Sequence, residues 1–189
     1  MKKNKKNIYY FIIMTSLEEY TKELTAITYP INYNRPLLKN DKSEVHRGIA
    51  LGTIFCRPVN RKDKNIPFQE CGSLKWEKYK KVFNTSKKLF EEYSPEPDFK
   101  WTTIQYNQNQ VSAKHKDRNN VGDSYIIALG DYEGGLLKVW HHDDDEEPEY
   151  IDIKNKFYKF DGGKKWHEST AFTGTRLSLV FFNIMNTRK

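Results

Sequence analysis

The chain has 189 residues, of which 37% are hydrophobic, 14% aromatic and 30% charged. This length fits a single domain spanning residues 1–189 with a substantial core, so we expect an ordered fold despite the high fraction of charged residues. The net charge is +7, and the positive excess lies in residues 1–100. Such a surface suits nucleic acid, anionic lipid or an acidic protein, although a lysine-rich solvated surface is the commoner explanation.

The two cysteines, Cys56 and Cys71, are too few for a disulfide framework and lack the spacing of a zinc site. We therefore expect an intracellular protein in a reducing compartment, such as the cytoplasm or nucleus of a cell or of an infected host. The basic start and the apolar run 8–14 imitate a signal peptide. Because no small-residue cleavage site follows, we interpret the run as a strand or an ordered arm. No run approaches the ~18 apolar residues of a transmembrane helix, so we expect no membrane partner.

Two helices and one strand are predicted in the first half. Ser16 and Glu19 form a capping box before apolar residues at helical spacing, which predicts a helix through Ile27. Residues 48–56 are apolar and lie between loops, which is typical of a strand. A second helix is predicted to begin at a Ser73 cap and to end at the prolines of 94–99. Its apolar stripe consists of Trp76, Tyr79, Phe83, Phe90 and Tyr93.

The second half has the pattern of short strands separated by turns. Six segments are rich in β-branched or aromatic residues and bounded by Gly, Asn or Asp, which predicts a sandwich or barrel. They are residues 101–107, 124–130, 134–140, 150–155, 157–162 and 175–183. Helices followed by strands predict an α+β fold in which the helices cover one face of the β core.

Three His-x-Asp pairs occur, and one such pair by chance has odds of roughly one half in this composition. His141 and His142 begin an acidic run between two strands, which indicates a solvated hairpin tip. For His115 and Asp117 a third ligand would be His167, at the end of the strand 157–162, because antiparallel strands can return the chain to its starting point. The turn at 119–122 begins that return. Two histidines and a carboxylate on one face of a metal form a common iron site. His46 has no partner at ligand spacing and receives no role.

Arg176 and Ser178 lie on a segment in which a period of two places 176, 178 and 180 on one face. Leu177, Leu179 and Phe181 occupy the other. An arginine that faces the interior of a barrel needs an anion, and its planar fork fits a carboxylate bidentately. The alternative is a salt bridge to an acidic residue of the chain.

Together, His115-x-Asp117, His167, and Arg176 with Ser178 resemble the signature of the Fe(II)- and 2-oxoglutarate-dependent dioxygenases. The resemblance covers residues 101–183 and implies a double-stranded β-helix (jelly-roll) core there, supported by the helices and loops of 1–100. It further implies that His115, Asp117 and His167 bind Fe(II). Arg176 and Ser178 would hold the distal carboxylate of 2-oxoglutarate. The implied reaction consumes O2, releases succinate and CO2, and hydroxylates a C–H bond.

Two subfamilies compete for the closer resemblance. Residues 119–137 are similar to the TET and base-J-binding oxygenases, although Leu136 replaces a glutamate of that pattern. The nine-residue interval from His167 to Arg176 is similar to that of prolyl hydroxylases. A tyrosine that those enzymes use for 2-oxoglutarate corresponds to Ala128 here. The candidates to replace its hydrogen bond are Gln105, Asn107 and Ser124.

The basic first half favours a nucleic-acid substrate, because neutralising phosphates needs such a surface. The resemblance to the TET and base-J-binding oxygenases implies a nucleobase of the 5-methylpyrimidine kind. The alternative is a prolyl or peptidyl hydroxylase, because the acidic run at 143–149 could attract a lysine-rich peptide. A third possibility, from another class, is a catalytically silent jelly roll that only binds a partner. The intact set of five site residues argues against it.

Overall fold

The computed structural model describes residues 17–32, 47–56, 69–72 and 76–184. Several features singled out in the sequence lie outside these residues, including more than half of the basic side chains of the first half. The others are the apolar run 8–14, the caps Ser16 and Ser73, and His46. Within the described part of the chain, no helix is both long and apolar enough to cross a membrane.

Both predicted helices and the first predicted strand are present. Helix α1 covers residues 17–25, strand β1 covers Arg47–Cys56 and helix α2 covers Trp76–Tyr93. Between β1 and α2 lies the short strand β2, Gln69–Gly72, which pairs with β1 and was not predicted. Helix α2 ends immediately before the proline-containing segment, as the sequence predicts.

Nine strands follow α2 where the sequence predicted six. They are β3 Thr103–Gln108, β4 Asn120–Leu129, β5 Tyr132–Gly134, β6 Leu137–Trp140, β7 Glu149–Ile151, β8 Tyr158–Phe160, β9 Trp166–Ser169, β10 Phe172–Gly174 and β11 Leu177–Ile184. Together with β1 and β2 they form a six-stranded sheet in the order β2-β1-β3-β11-β4-β8, a three-stranded sheet β7-β6-β9 and a pair β10-β5. Every pairing between these strands is antiparallel.

One face of the six-stranded sheet packs against the two helices. Leu177, Leu179 and Phe181 of β11 are buried there, so the predicted period of two is confirmed. Phe90 of α2 lies at the centre, with its ring 4.7 Å from the ring of Phe181. Buried aromatic pairs of this kind contribute about 0.5–1.5 kcal/mol beyond their area, so they fix α2 on the sheet.

The opposite face of the same sheet packs against the three-stranded sheet. Ile126 and Ala128 of β4 and the neighbouring Val180 of β11 meet Leu137 and Val139 of β6 in a second core cluster. Two facing sheets with helices on the outer side of the larger one constitute the predicted α+β jelly roll. The candidate site residues lie between the sheets.

Two local predictions near the site are wrong. His167 does not end the strand at 157–162; it lies within β9, separated from β8 by a turn at residues 162–164. Residues 119–122 are not a turn either, because β4 already begins at Asn120 and the turn occupies 118 and 119. Gly122 lies inside β4 with a positive φ of 68°, which explains why its Asn-Asn-Val-Gly context imitates a turn.

Candidate metal centre and anion pocket

Backbone pairing brings His115 and His167 together. The segment 109–119 forms no extended strand, but His115 makes an isolated antiparallel bridge to His167. Each amide donates to the carbonyl of the other residue, at 2.9 and 3.0 Å. The imidazole ring centroids lie 4.2 Å apart as a result.

Asp117 completes a three-residue cluster. One potential ligand atom from each of His115, Asp117 and His167 lies within 4.8 Å of the others. The Asp117 carboxylate oxygens lie 3.6 Å from Nε2 of each histidine. The sequence prediction that these three side chains converge is therefore correct. His167 is 5% exposed, whereas His115 and Asp117 are partly exposed, so the cluster is closed on one side and accessible on the other.

The histidine tautomers are fixed by backbone carbonyls. Nδ1 of His115 lies 2.7 Å from the carbonyl oxygen of Ala113, and Nδ1 of His167 lies 3.0 Å from that of Lys165. Because a carbonyl only accepts, each Nδ1 carries a proton, so it is Nε2 of each ring that faces Asp117. Hydrogen bonds of this kind, from the ring nitrogen that does not face the metal, orient histidines as metal ligands.

The Asp117 carboxylate is held in its ionised form. Burial alone would raise its pKa, but the interactions with His115 and His167 outweigh burial and hold the pKa well below its usual range. The Asp117 amide donates to the Gly162 carbonyl at 2.8 Å. Two imidazole nitrogens and a carboxylate that converge in this way form a site for a cation.

The other two His-x-Asp pairs form no such cluster. His141 and His142 are exposed on the tip between β6 and β7, as predicted. Nε2 of His141 lies 2.6 Å from Glu149, and the Lys116 amine lies 2.6 Å from Asp143. Among the described residues, His115, Asp117 and His167 are the metal-competent group of three.

Arg176 lines the same cavity as His115, Asp117 and His167. It is 2% exposed, and no carboxylate among the described residues forms a salt bridge with it. Burial lowers the pKa of its guanidinium, and the nearby Tyr132 opposes this only in part. The Arg176 Cζ lies 5.6 Å from the ring centroids of both Tyr132 and Phe172. A buried guanidinium with aromatic walls and no carboxylate partner among the described residues indicates a site for an external anion.

Asn109 fixes the backbone of Arg176. Its side-chain Oδ1 accepts from the Arg176 backbone amide at 2.9 Å, and its backbone amide donates to the Arg176 carbonyl at 2.8 Å. Asn109 adopts a left-handed φ of 51°, which asparagine tolerates better than most residues. The start of β11 is thus joined to the end of β3 just where the arginine enters the cavity.

We expect Asn109→Gly to lower the free energy of unfolding by about 1–3 kcal/mol, because the Arg176 amide loses its acceptor. Asn109→Ala should cost about 1–2 kcal/mol more, because alanine also resists the left-handed conformation. Urea unfolding of both variants measures the two contributions separately. An alanine variant as stable as the glycine variant would contradict the contribution assigned to backbone conformation.

The remaining predicted cosubstrate residues divide into three groups. Ser178 and Asn107 line the cavity, in register on neighbouring β11 and β3. Gln105 instead lines an adjacent groove that begins at Asp117, and its amide donates to Asn107 Oδ1 at 3.2 Å. Ser124 is fully buried and its hydroxyl has no partner among the described atoms, but it does not line the cavity.

Sequence reasoning missed several cavity residues. Gln110 is 5% exposed and lines the cavity, and no hydrogen bond of its amide to a described residue is observed. Ser112 and Ser169 line it too and join the segment before His115 to β9, since the Ser112 amide donates to Ser169 Oγ at 2.8 Å. Only the proximity of Gln110 and Ser112 to His115 in the sequence could have indicated them.

The groove beside Asp117 runs along the six-stranded sheet where the smaller sheet does not cover it. Its lining includes the basic Lys116 and Arg118, the amides of Asn119 and Asn120, and apolar residues of β11. Asp117 is the only acidic residue among its described lining residues. The groove therefore presents positive charge and hydrogen-bonding groups next to the accessible side of the cluster.

No protein-family model and no curated protein sequence matches the chain. Solved structures do. A structure of NgTET1 in complex with 5mC DNA has a TM-score of 0.52 and 13% identity, covering 89% of this chain and 67% of that one.

Two further solved structures have slightly lower TM-scores. An oxidoreductase of the 2OG-Fe(II) oxygenase family from Burkholderia pseudomallei gives 0.49, with 15% identity over 85% of this chain and 75% of that one. A Pseudomonas putida prolyl-4-hydroxylase has a TM-score of 0.48 and 12% identity, covering 91% of this chain and 88% of that one. The likeness to NgTET1 shows that the two chains share a fold.

Proposed function

We propose that the chain is an Fe(II)- and 2-oxoglutarate-dependent dioxygenase that hydroxylates a C–H bond of a macromolecular substrate. The observation that carries this proposal is that one cavity holds both the His115, Asp117 and His167 cluster and the buried Arg176, which forms no salt bridge with a described residue. Three converging metal ligands alone are compatible with many functions. The same three ligands beside a buried anion site suit a cosubstrate that binds the metal with one end and the anion site with the other.

The residues present fit the implied groups. Two imidazole nitrogens and one carboxylate oxygen on one side, with the other side accessible, are the ligand set of non-haem Fe(II) oxygenases. Bound Fe(II) would supply the redox chemistry that couples oxidation of 2-oxoglutarate to hydroxylation, with release of succinate and CO2. The chain contributes ligand orientation through Ala113 and Lys165, anion binding through Arg176 and Ser178, and exclusion of water between the two sheets.

A silent binding module accounts poorly for this cavity. Burial of an unpaired arginine destabilises a fold unless a ligand compensates. The three metal-competent side chains also hold their ligand atoms in a geometry that has no evident use in packing. A binding module would need neither feature.

For the substrate we favour a nucleobase of the 5-methylpyrimidine kind. The similarity of residues 119–137 to TET and base-J-binding oxygenases supports this choice, as does the basic composition of residues 1–100. The groove beside Asp117 adds a physical reason. Arg118 suits a phosphate backbone, Lys116 could join it by leaving Asp143, and the side-chain amide of Asn119 can hydrogen-bond base edges.

A peptide substrate is the second candidate, and the tip between β6 and β7 favours it. Asp144, Glu146 and Glu147 are exposed or partly exposed there, and none forms a salt bridge with a described residue. A basic peptide would complement this charge.

We expect methylated single- or double-stranded DNA or RNA to stimulate succinate release, and proline- or lysine-containing peptides to leave it at the uncoupled level. The measurement is succinate formed from 2-oxoglutarate with Fe(II) under air. Arg118→Ala should weaken nucleic-acid stimulation and flatten its salt dependence, because a phosphate contact is lost. Stimulation by peptides alone would exclude the nucleobase proposal. Binding of nucleic acid without turnover of any kind would support the silent module.

A further inference from the structure

The segment that carries His115 and Asp117 has a second side, which faces outward. Its backbone bridge to His167 makes it locally extended, so successive side chains point in opposite directions. His115 and Asp117 face the cavity. Lys114 and Lys116 lie on the other side, where both contact aromatic rings. Two cations therefore flank the metal-competent cluster on its outer side.

Two tryptophans lie beneath these lysines. Trp140 of β6 and Trp166 of β9 are in register, so their side chains lie on the same face of the three-stranded sheet. The Lys114 amine lies 3.8 Å from the ring centroid of Trp140 and 6.0 Å from that of Trp166. The Lys116 amine lies 5.1 Å from the Trp166 centroid, and Trp166 is partly exposed. Cations next to an accessible indole are the combination that binds the phosphates and bases of a single strand.

An anion of the chain itself occupies part of this surface. Lys116 forms a salt bridge of 2.6 Å with Asp143, at the tip between β6 and β7. The Lys116 side chain is 21% exposed and that of Asp143 is 74% exposed, so the lysine lies against the protein while its partner lies mostly in solvent. The tip makes a second contact, since the Lys165 amine donates to His141 Nδ1 at 3.0 Å. The tip therefore contacts both of the segments that carry the candidate ligands.

Other cations of this region are not neutralised in the same way. Lys114 is exposed, as is Arg118, which lines the groove beside Asp117. Neither forms a salt bridge within the described part of the chain. The carboxylate of Glu168, on the outer face of β9, is already paired with the Lys138 amine at 2.7 Å. The region thus offers two cations to an anionic partner at once, and a third only after the tip leaves.

We propose that Lys114, Lys116 and Trp166 form a docking surface for the phosphates and bases next to the substrate nucleotide, and that Asp143 occupies one phosphate position there in the free protein. The inference rests on the proposed function, since it takes nucleic acid as the substrate. A carboxylate and a phosphate compete for the same ammonium group, so binding of a strand displaces the tip into solvent. The acidic tip is then an internal competitor of nucleic acid rather than the docking site of a basic peptide.

The test compares Asp143→Asn with Asp144→Asn, its matched control. Both substitutions remove one exposed negative charge from the same tip, but Asp144 pairs with no cation among the residues that the structure describes. Binding of a fluorescein-labelled single-stranded DNA that contains 5-methylcytosine is measured by anisotropy, on protein loaded with Mn(II) and 2-oxoglutarate. We expect Asp143→Asn to bind about threefold more tightly than Asp144→Asn, the effect of releasing one surface ion pair. In a Lys116→Gln background the two substitutions should become equivalent.

The salt dependence of binding separates displacement of Asp143 from a general change of charge. In wild type, Lys116 exchanges one anion for another, whereas in Asp143→Asn it adds a phosphate contact. The slope of log affinity against log salt concentration should therefore be steeper by about 0.7 in Asp143→Asn and unchanged in Asp144→Asn. Lys114→Gln should weaken binding and make the slope shallower by a similar amount.

Equal affinities and equal slopes in the two aspartate variants, with DNA-stimulated succinate release intact in wild type, would overturn the inference and leave the proposed function standing. Stimulation by a basic peptide that weakens equally in both aspartate variants would overturn it as well, because the tip would then be the docking site. If no variant binds DNA, the inference falls together with the nucleobase substrate, whereas turnover of 2-oxoglutarate would still support the dioxygenase chemistry.

Discussion

In the His167→Ala variant we expect Fe(II) affinity to fall by more than about 100-fold, because a direct ligand is lost. Replacing a residue that only orients a ligand typically costs ~10–100-fold. Succinate release should stop. His167 is the most buried of the three candidate ligands, and its Nδ1 is oriented by the Lys165 carbonyl. His115→Ala should have the same effect.

The weak visible charge-transfer band of Fe(II) with 2-oxoglutarate, recorded without oxygen, reports this binding directly. The band should be present in wild type and absent in His115→Ala and His167→Ala. His142→Ala is the matched control, because it removes the histidine of an exposed His-x-Asp pair that belongs to no cluster. Absence of the band in wild type, or its loss in His142→Ala, would disprove the assignment of the metal site.

Part of this site could be predicted because spacing along one strand fixes which residues share a face. The period of two in β11 separates Arg176 and Ser178 from Leu177 and Leu179, and the structure places the first pair at the cavity and the second in the helix-facing core. Likewise, the acidic context of His141 and His142 predicts exposure correctly.

Other parts could not be predicted, because they depend on pairing between distant segments. The segment 109–119 has no strand pattern, yet a single bridge to β9 positions His115. Strands β5 and β10 have three residues each, too few for a period to be recognised. Tyr132 and Phe172 lie on these two strands, so the aromatic walls around Arg176 emerge only from the folded chain.

The second large effect is expected at Arg176. Arg176→Ala should weaken 2-oxoglutarate binding by about 10- to 100-fold, because a charge-assisted, bidentate contact contributes roughly 1.5–3 kcal/mol. Fe(II) affinity should change little, because the guanidinium ligates no metal. Arg176→Lys should fall between wild type and alanine, since lysine keeps the charge but not the planar fork. The apparent 2-oxoglutarate requirement for succinate release and Fe(II) binding, measured on the same preparations, separate the two effects.

The stability of the ligand-free protein distinguishes the loss of anion binding at Arg176 from misfolding, because misfolding would lower this stability and the loss of anion binding would not. Arg176 is buried without a carboxylate partner among the described residues, so Arg176→Met should unfold at the same urea concentration as wild type or higher. Added Mn(II) and 2-oxoglutarate should then stabilise wild type but not Arg176→Met, because ligand stabilisation grows with the ratio of concentration to Kd. If the ligand-free variant is instead strongly destabilised, Arg176 has an internal partner, and the cavity is not an anion site. A buried charge that costs stability in the empty protein and is compensated by a ligand is the physical signature of a binding residue rather than a packing one.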